Sequence, residues 1–360
     1  MDLLSYTDYK KRIVAIAKKH IWLEGSRVDN GIYPNLDKSA SRMYPLYQHG
    51  FDESRLDKDD AIDIRDLPCY ELDWSIADSK FAKRWIVLPD LKTYLEKRVV
   101  PDYLITGEGS SSHNVLINSL VLPEVIGKFG MPAARYYVIK SYPDEPEADY
   151  GYGLITPNFV DIENGEELIE GSDIVISKKY NPKSRTMIEG IKEGLSLRKF
   201  NAGDIAQIEI DALKQIFIGR FIDNKDEMNR NFSVIVNGKH ARIAPMYDFD
   251  FCAGNGLRFN RNRERELDNG SSNVGDFAAE FKKYPWFEEW VRTSLDQIDI
   301  KEIFQDISLR GGYYFQETTV RRYEEFFERQ KEQVLEGLAR QKDEKVKTKK
   351  RNKFLDFFTR

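Results

Sequence analysis

Residues 232–245 read FSVIVNGKHARIAP, two β-rich runs joined by Asn237-Gly238, the dipeptide favoured in two-residue type I′ hairpin turns. A hairpin constrains the chain strongly, because its two ends must lie side by side whatever the rest of the sequence does. Those ends are polar. In DNKDEMNRNFSVIVNGKHARIAPMYDFDF, Asp226 and Asn231 precede the hairpin and Asp248 follows it, so Asn231 and Asp248 are expected to be neighbours. Magnesium takes hard oxygen ligands, often one or two protein groups completed by phosphate oxygens and water, and this pair supplies such a set. Asp226, one loop away, is placed to orient or deprotonate an attacking hydroxyl. Asp and Asn are also ordinary turn residues; the helix before the loop and the hairpin after it favour the site over the turn.

The helix before the loop is NAGDIAQIEIDALKQIFIGRFI, with Ile205, Ile208, Ala212, Ile216 and Phe217 on one face. A first amphipathic helix is expected in SYTDYKKRIVAIAKKHIWLEG, from Tyr9, Ile13, Ile16 and Ala17, and residues 27–75 read as loops and short helices. Further on, KRWIVLP and VVPDYLITGEGSSSHNVLI suggest strands, with a loop from Gly107 to Ser112. A helix through LINSLVLPEVIGKFG closes at Gly130, followed by strands in ARYYVIKSY and GYGLITPNFV. From about residue 276 the pattern is helical. This is an α+β chain, β-rich in its first half and α-rich in its second, meeting near residue 160. The expected units are an N-terminal extension or part of the small lobe (1–95), a small lobe with nucleotide-facing strands (96–160), a helical lobe with the loop and hairpin (161–343), and a flexible basic tail (344–360).

Composition narrows the function classes. Over 360 residues the net charge is -5, against the basic footprint of a general nucleic-acid binder. Two cysteines and four histidines are too few for a disulfide framework or a cysteine-rich zinc site. No apolar run has the length of a membrane span, and the N-terminus has no signal-peptide core, so a cytoplasmic setting is expected.

The stretch FIGRFIDNKDEMNRNFSVIVNGKHARIAPMYDFDF resembles the core of HipA-like serine/threonine kinases, including CtkA-type kinases, in which a helix runs into an Asp-x-His-x-x-Asn loop, a hairpin and an APxYD strand end. The likeness is specific over 212–251 and looser over 103–160, where VLPEVIGKFGMPAARYYVI resembles the small-lobe helix and the strand after it. It implies a bilobal protein-kinase-like fold, ATP and Mg2+ as cofactors, Asp226 as catalytic base, and Asn231 and Asp248 as metal ligands. Met228 stands where the family has His. Asp250 reads equally as a strand-end charge or a further metal group. GLITPNFVD resembles the hinge and reads equally well as a plain buried strand.

Kinases also need a strand Lys that grips the phosphates and a Glu on the following helix. If DYLITGEG is that strand, Ile105 or Thr106 occupies the Lys position; either the register is a different one, or another cation such as Lys97, Arg98 or Lys140 serves, or nucleotide binding is altered. The helix position for Glu falls near Ser119, or at Glu124 in another register. GEGSSSHN is a candidate phosphate-covering loop through Gly107, Gly109, Ser110, Ser111 and Ser112, since backbone N–H groups of Gly/Ser-rich loops bind anions. The three serines are then candidates for autophosphorylation, and the resemblance implies a protein partner with a Ser or Thr acceptor. A pseudokinase scaffold, in a toxin-antitoxin-like system, is the alternative, and a DNA-interacting regulator using the basic tail comes third.

Overall fold

The structure is a computed structural model that describes residues 3–24, 35–57, 62–63, 67–72, 83–99, 111–141, 151–174, 187–224, 232–250, 252–253, 273–311 and 314–340. Its first half is built on a sheet of strands β1 (Ile62–Asp63), β2 (Tyr70–Leu72), β3 (Lys83–Val87), β4 (Thr93–Val99), β5 (Tyr137–Ser141) and β6 (Gly151–Pro157), in the order β1-β5-β6-β4-β3-β2. Only the β1–β5 pairing is parallel. The residues before 96 therefore supply β1, β2, β3 and the start of β4.

Strand alternation sends side chains to both faces, and both are covered. On one face Ile86, Tyr94, Tyr137 and Ile155 meet Phe51 and Leu56. On the other, the helices α1 (Tyr6–Glu24) and α2 (Leu36–Gln48) bury Tyr9, Ile13 and Met43 against Tyr70, Leu72 and Val87. Further along that face α3 (Ser111–Lys128) sets Val115 on Val138 and Leu154. The helix ends where the sequence marks it. Gly130 has φ +67°, a left-handed conformation that glycine adopts without penalty, and Met131 N–H returns to the Ile126 carbonyl at 3.4 Å.

The second half holds a three-stranded antiparallel sheet of β7 (Glu167–Glu170), β8 (Ser233–Asn237) and β9 (His240–Ile243), with β8 central. Between β7 and β8 in sequence come the short helix α4 (Gly171–Ile174), α5 (Met187–Leu197) and α6 (Ala202–Phe221). The predicted hairpin is present, but its turn differs. Asn237 pairs with His240, so the two turn residues are Gly238 and Lys239, and the positive φ falls on Gly238 at +60°. Glycine at the first central position is the type II′ signature, in place of the type I′ turn expected with Asn237 inside it.

The remaining helices are α7 (Val274–Phe281), α8 (Phe287–Asp296), α9 (Ile300–Gly311) and α10 (Glu317–Ala339). They share one apolar core with α3 and α6, through Val125, Phe129, Phe217, Phe221, Phe287 and Phe327. The two halves are stitched together by a short parallel bridge between Ala133 and Met246. Ala134 N–H donates to the Met246 carbonyl at 2.8 Å, and Met246 N–H to the Pro132 carbonyl at 2.9 Å. No helix among the described residues is long and apolar enough to cross a membrane.

Candidate active site

The bridge at Met246 decides where the post-hairpin segment goes, and Asp248 lies two residues beyond it. The segment is held on both sides: Gln215 of α6 donates to the Ala244 carbonyl at 2.8 Å, and the hydroxyls of Tyr247 and Ser233 meet at 2.9 Å. Asp248 N–H donates to the Tyr136 hydroxyl at 3.2 Å, with Asp248 at φ +59°. A left-handed backbone at a residue other than glycine costs on the order of 1 kcal/mol and tends to persist at functional sites.

Two lysines meet this carboxylate from the sheet. Lys97 Nζ lies 3.1 Å from Asp248 Oδ1, and Lys83 Nζ lies 3.4 Å from Oδ2. The two come from facing positions of β3 and β4, where Lys83 pairs with Lys97, so both project from the same face of the sheet. Lys97 also contacts Asp250. Its side chain is 6% exposed and that of Asp250 7%, while Asp248 keeps 22% and is the group of this trio that opens to solvent.

The electrostatics divide the two carboxylates. Burial works against the charge of Asp248, but Lys97 and Lys83 overcome it and hold the carboxyl below its ordinary range. Burial pushes Asp250 up, and the Asp248 charge adds to the rise against the pull of Lys97. Lys97 itself is held protonated: burial opposes its charge, and the Asp248 and Asp250 carboxylates outweigh that. The result is one ionised oxygen pair at the mouth and an ammonium beside it, a combination suited to a hard cation and to phosphate oxygens.

Of the expected site residues, Asp226 and Asn231 lie outside the described residues, as do Met228, Gly107, Gly109 and Ser110. Ser111 and Ser112 open α3. Lys140 lies on β5 opposite Tyr152 of β6. DYLITGEG, with Ile105 and Thr106, also lies outside the described residues; the cations that reach Asp248 come from β3 and β4, and Lys97 is one of the three alternatives. Lys83 was not anticipated; its place at the start of the predicted strand KRWIVLP was the available signal. Asp250 is 5% exposed, so its reading as a solvent-facing charge is corrected. Glu124 pairs with Arg310 of α9 at 2.7 Å, and Ser119 is buried without offering a charge.

Beneath the site, Asn118 of α3 is fully buried and donates to the carbonyls of Phe249 at 3.2 Å and Cys252 at 3.0 Å. Its own oxygen accepts from the Tyr323 hydroxyl of α10 at 2.5 Å. Helix α3 is thus fastened to the segment that carries both aspartates. A second buried polar group marks the Lys97 face. Thr156 on β6, opposite Leu95 of β4, has a hydroxyl oxygen with no hydrogen-bond partner among the described residues.

No family model matches the chain, and no curated protein matches it. Solved structures do. The Helicobacter pylori proinflammatory kinase CtkA aligns with a TM-score of 0.57 at 14% identity, covering 78% of this chain and 97% of that one. HipA of Shewanella oneidensis MR-1, in a toxin-antitoxin complex with HipB and operator DNA, aligns at 0.40 and 14% identity, over 91% of this chain and 85% of that one. A Golgi casein kinase with Mn and ADP bound aligns at 0.37 and 11%, over 74% and 72%. The chain has a bilobal kinase-like fold, the one expected from its resemblance to HipA-like and CtkA-type kinases.

Proposed function

We propose that the chain is an ATP- and Mg-dependent protein kinase of the HipA-like class that transfers the γ-phosphoryl group to a Ser or Thr hydroxyl. The observation that carries this reading is the convergence of Lys97 and Lys83 on Asp248 between the sheet and the post-hairpin segment. The residues present fit the group such a site would take. Asp248 is an ionised carboxylate with an exposed edge, the two ammoniums suit phosphate oxygens, and the Thr156 hydroxyl, without a partner among the described residues, lies on the same sheet face, where a base edge would satisfy it. Bound magnesium would neutralise charge on the transferring phosphate.

In this reading Asp248, with Asn231, holds the metal, Lys97 and Lys83 orient the phosphates, and Asp226 accepts the proton of the acceptor hydroxyl. Catalysis of this kind is mostly positioning and electrostatic stabilisation, so each group is needed in place. Phosphate transfer from labelled ATP to a generic Ser/Thr substrate and to the chain itself tests it. Asp248→Ala, Lys97→Met and Asp226→Ala are each expected to lower transfer by about 100-fold or more. Undiminished transfer in the Asp248 or Lys97 variant refutes the assignment. The absence of a lysine-directed acid on α3 favours the scaffold as second reading. Mg-ATP binding by thermal shift with no transfer by the wild type would select it.

A further inference from the structure

A strand lysine that grips phosphates needs a carboxylate to hold it, and in protein kinases a glutamate on the following helix does so. Helix α3 does not provide one. Its 18 residues include a single acid, Glu124, and that side chain is paired with Arg310. Lys97 is nonetheless buried, and its ammonium rests against Asp250, which is equally buried and stands two residues beyond Asp248.

We propose that Asp250 is the anchor of Lys97, taking the part a helix glutamate plays in protein kinases, and that by doing so it leaves Asp248 a carboxylate to offer to a metal-nucleotide complex. The inference rests on the kinase reading for its purpose, and on the Lys97–Asp250 contact for its geometry. Lys97 is shared between two carboxylates, one in contact and one at 3.1 Å. With Asp250 gone, more of the ammonium charge falls on Asp248, and a metal must compete with it for the same oxygens. The anchor also sits on the post-hairpin segment and not on α3, so Lys97 is set by the seating of the sheet on the helical half. Asp250 is a positioning residue in this scheme, acting through Lys97.

The test is ADP binding by calorimetry over a series of magnesium concentrations, for the wild type, Asp250→Asn, Asp250→Glu and Glu124→Gln. Asp250→Asn is expected to raise the magnesium needed for half-maximal binding by about tenfold or more, as loss of a group that orients a metal ligand does. Asp250→Glu should restore most of that loss, and Glu124→Gln should match the wild type. An unchanged magnesium requirement in Asp250→Asn, or an equal rise in Glu124→Gln, overturns the proposal.

A second measurement needs no nucleotide. Asp250→Asn should lower the unfolding temperature with Lys97 present and by less than about half as much in a Lys97→Met background, since contacting residues are coupled. Equal lowering in both overturns the anchor. If Asp250→Asn alone does not fold, a folded Lys97→Met/Asp250→Asn double variant supports the anchor and an unfolded one overturns it. A wild type that binds no ADP at any magnesium concentration removes the kinase reading, and the unfolding cycle then decides the anchor alone.

Discussion

Replacing Asn118 should loosen the aspartate segment by an amount that the structure sets. Its side chain makes three hydrogen bonds: two donated to the Phe249 and Cys252 carbonyls and one accepted from Tyr323. Each such bond contributes about 0.5–1.5 kcal/mol net, so Asn118→Ala is expected to cost about 3 kcal/mol, while Tyr323→Phe, which removes one bond, costs about 1 kcal/mol. Asn118→Asp separates the two halves of the network. It keeps the acceptor for Tyr323, loses both donors, and turns a carboxylate toward two carbonyl oxygens in a fully buried place. A buried unpaired charge costs more than the bonds it replaces, so the expected order of destabilisation is Asn118→Asp, then Asn118→Ala, then Tyr323→Phe. Urea denaturation, with midpoints compared at a common slope, gives the ordering directly. If Asn118→Ala cost no more than Tyr323→Phe, the two carbonyl bonds would contribute nothing, and the fastening of α3 to the Asp248 segment would be refuted.

Two further outcomes follow from packing and burial. Helices α7 and α10 cross so closely that a Cβ on Gly337 would lie 2.0 Å from the Gly275 carbonyl oxygen. Gly337→Ala should therefore destabilise by about 1–3 kcal/mol through overpacking, whereas Gly127→Ala on α3, where nothing lies within 4 Å, should be neutral or stabilising in the same thermal melt. Burial pushes the Cys69 thiol up to about 12, and Cys252 is fully buried. At pH 8 about one Cys69 in 10⁴ is a thiolate, so a thiol reagent should find neither cysteine in the folded protein and both after denaturation.

The parts of this molecule legible in the sequence are those written in local pattern. The periodic apolar residues of 202–221 gave α6, and the paired β-rich runs gave the hairpin. Even there, the turn moved by one residue, because Asn237 is spent on pairing with His240 and the glycine alone supplies the positive φ. The lysine was harder to read for a physical reason. The strand TYLEKRV carries Glu96 and Lys97 side by side, a pattern that suggests a solvated edge. Both are buried, on opposite faces, and each is neutralised by a partner: Glu96 by Arg84, 12 residues away across the hairpin of β3 and β4, but Lys97 by Asp248 and Asp250, about 150 residues on. Burying a charge is tolerable only where such a partner waits, so the strand and the post-hairpin segment had to settle together. Pairing across that distance leaves no trace in the spacing of either segment. What the sequence could offer was the DFD motif with its two carboxylates, and it is the two together that offset the charge buried at Lys97.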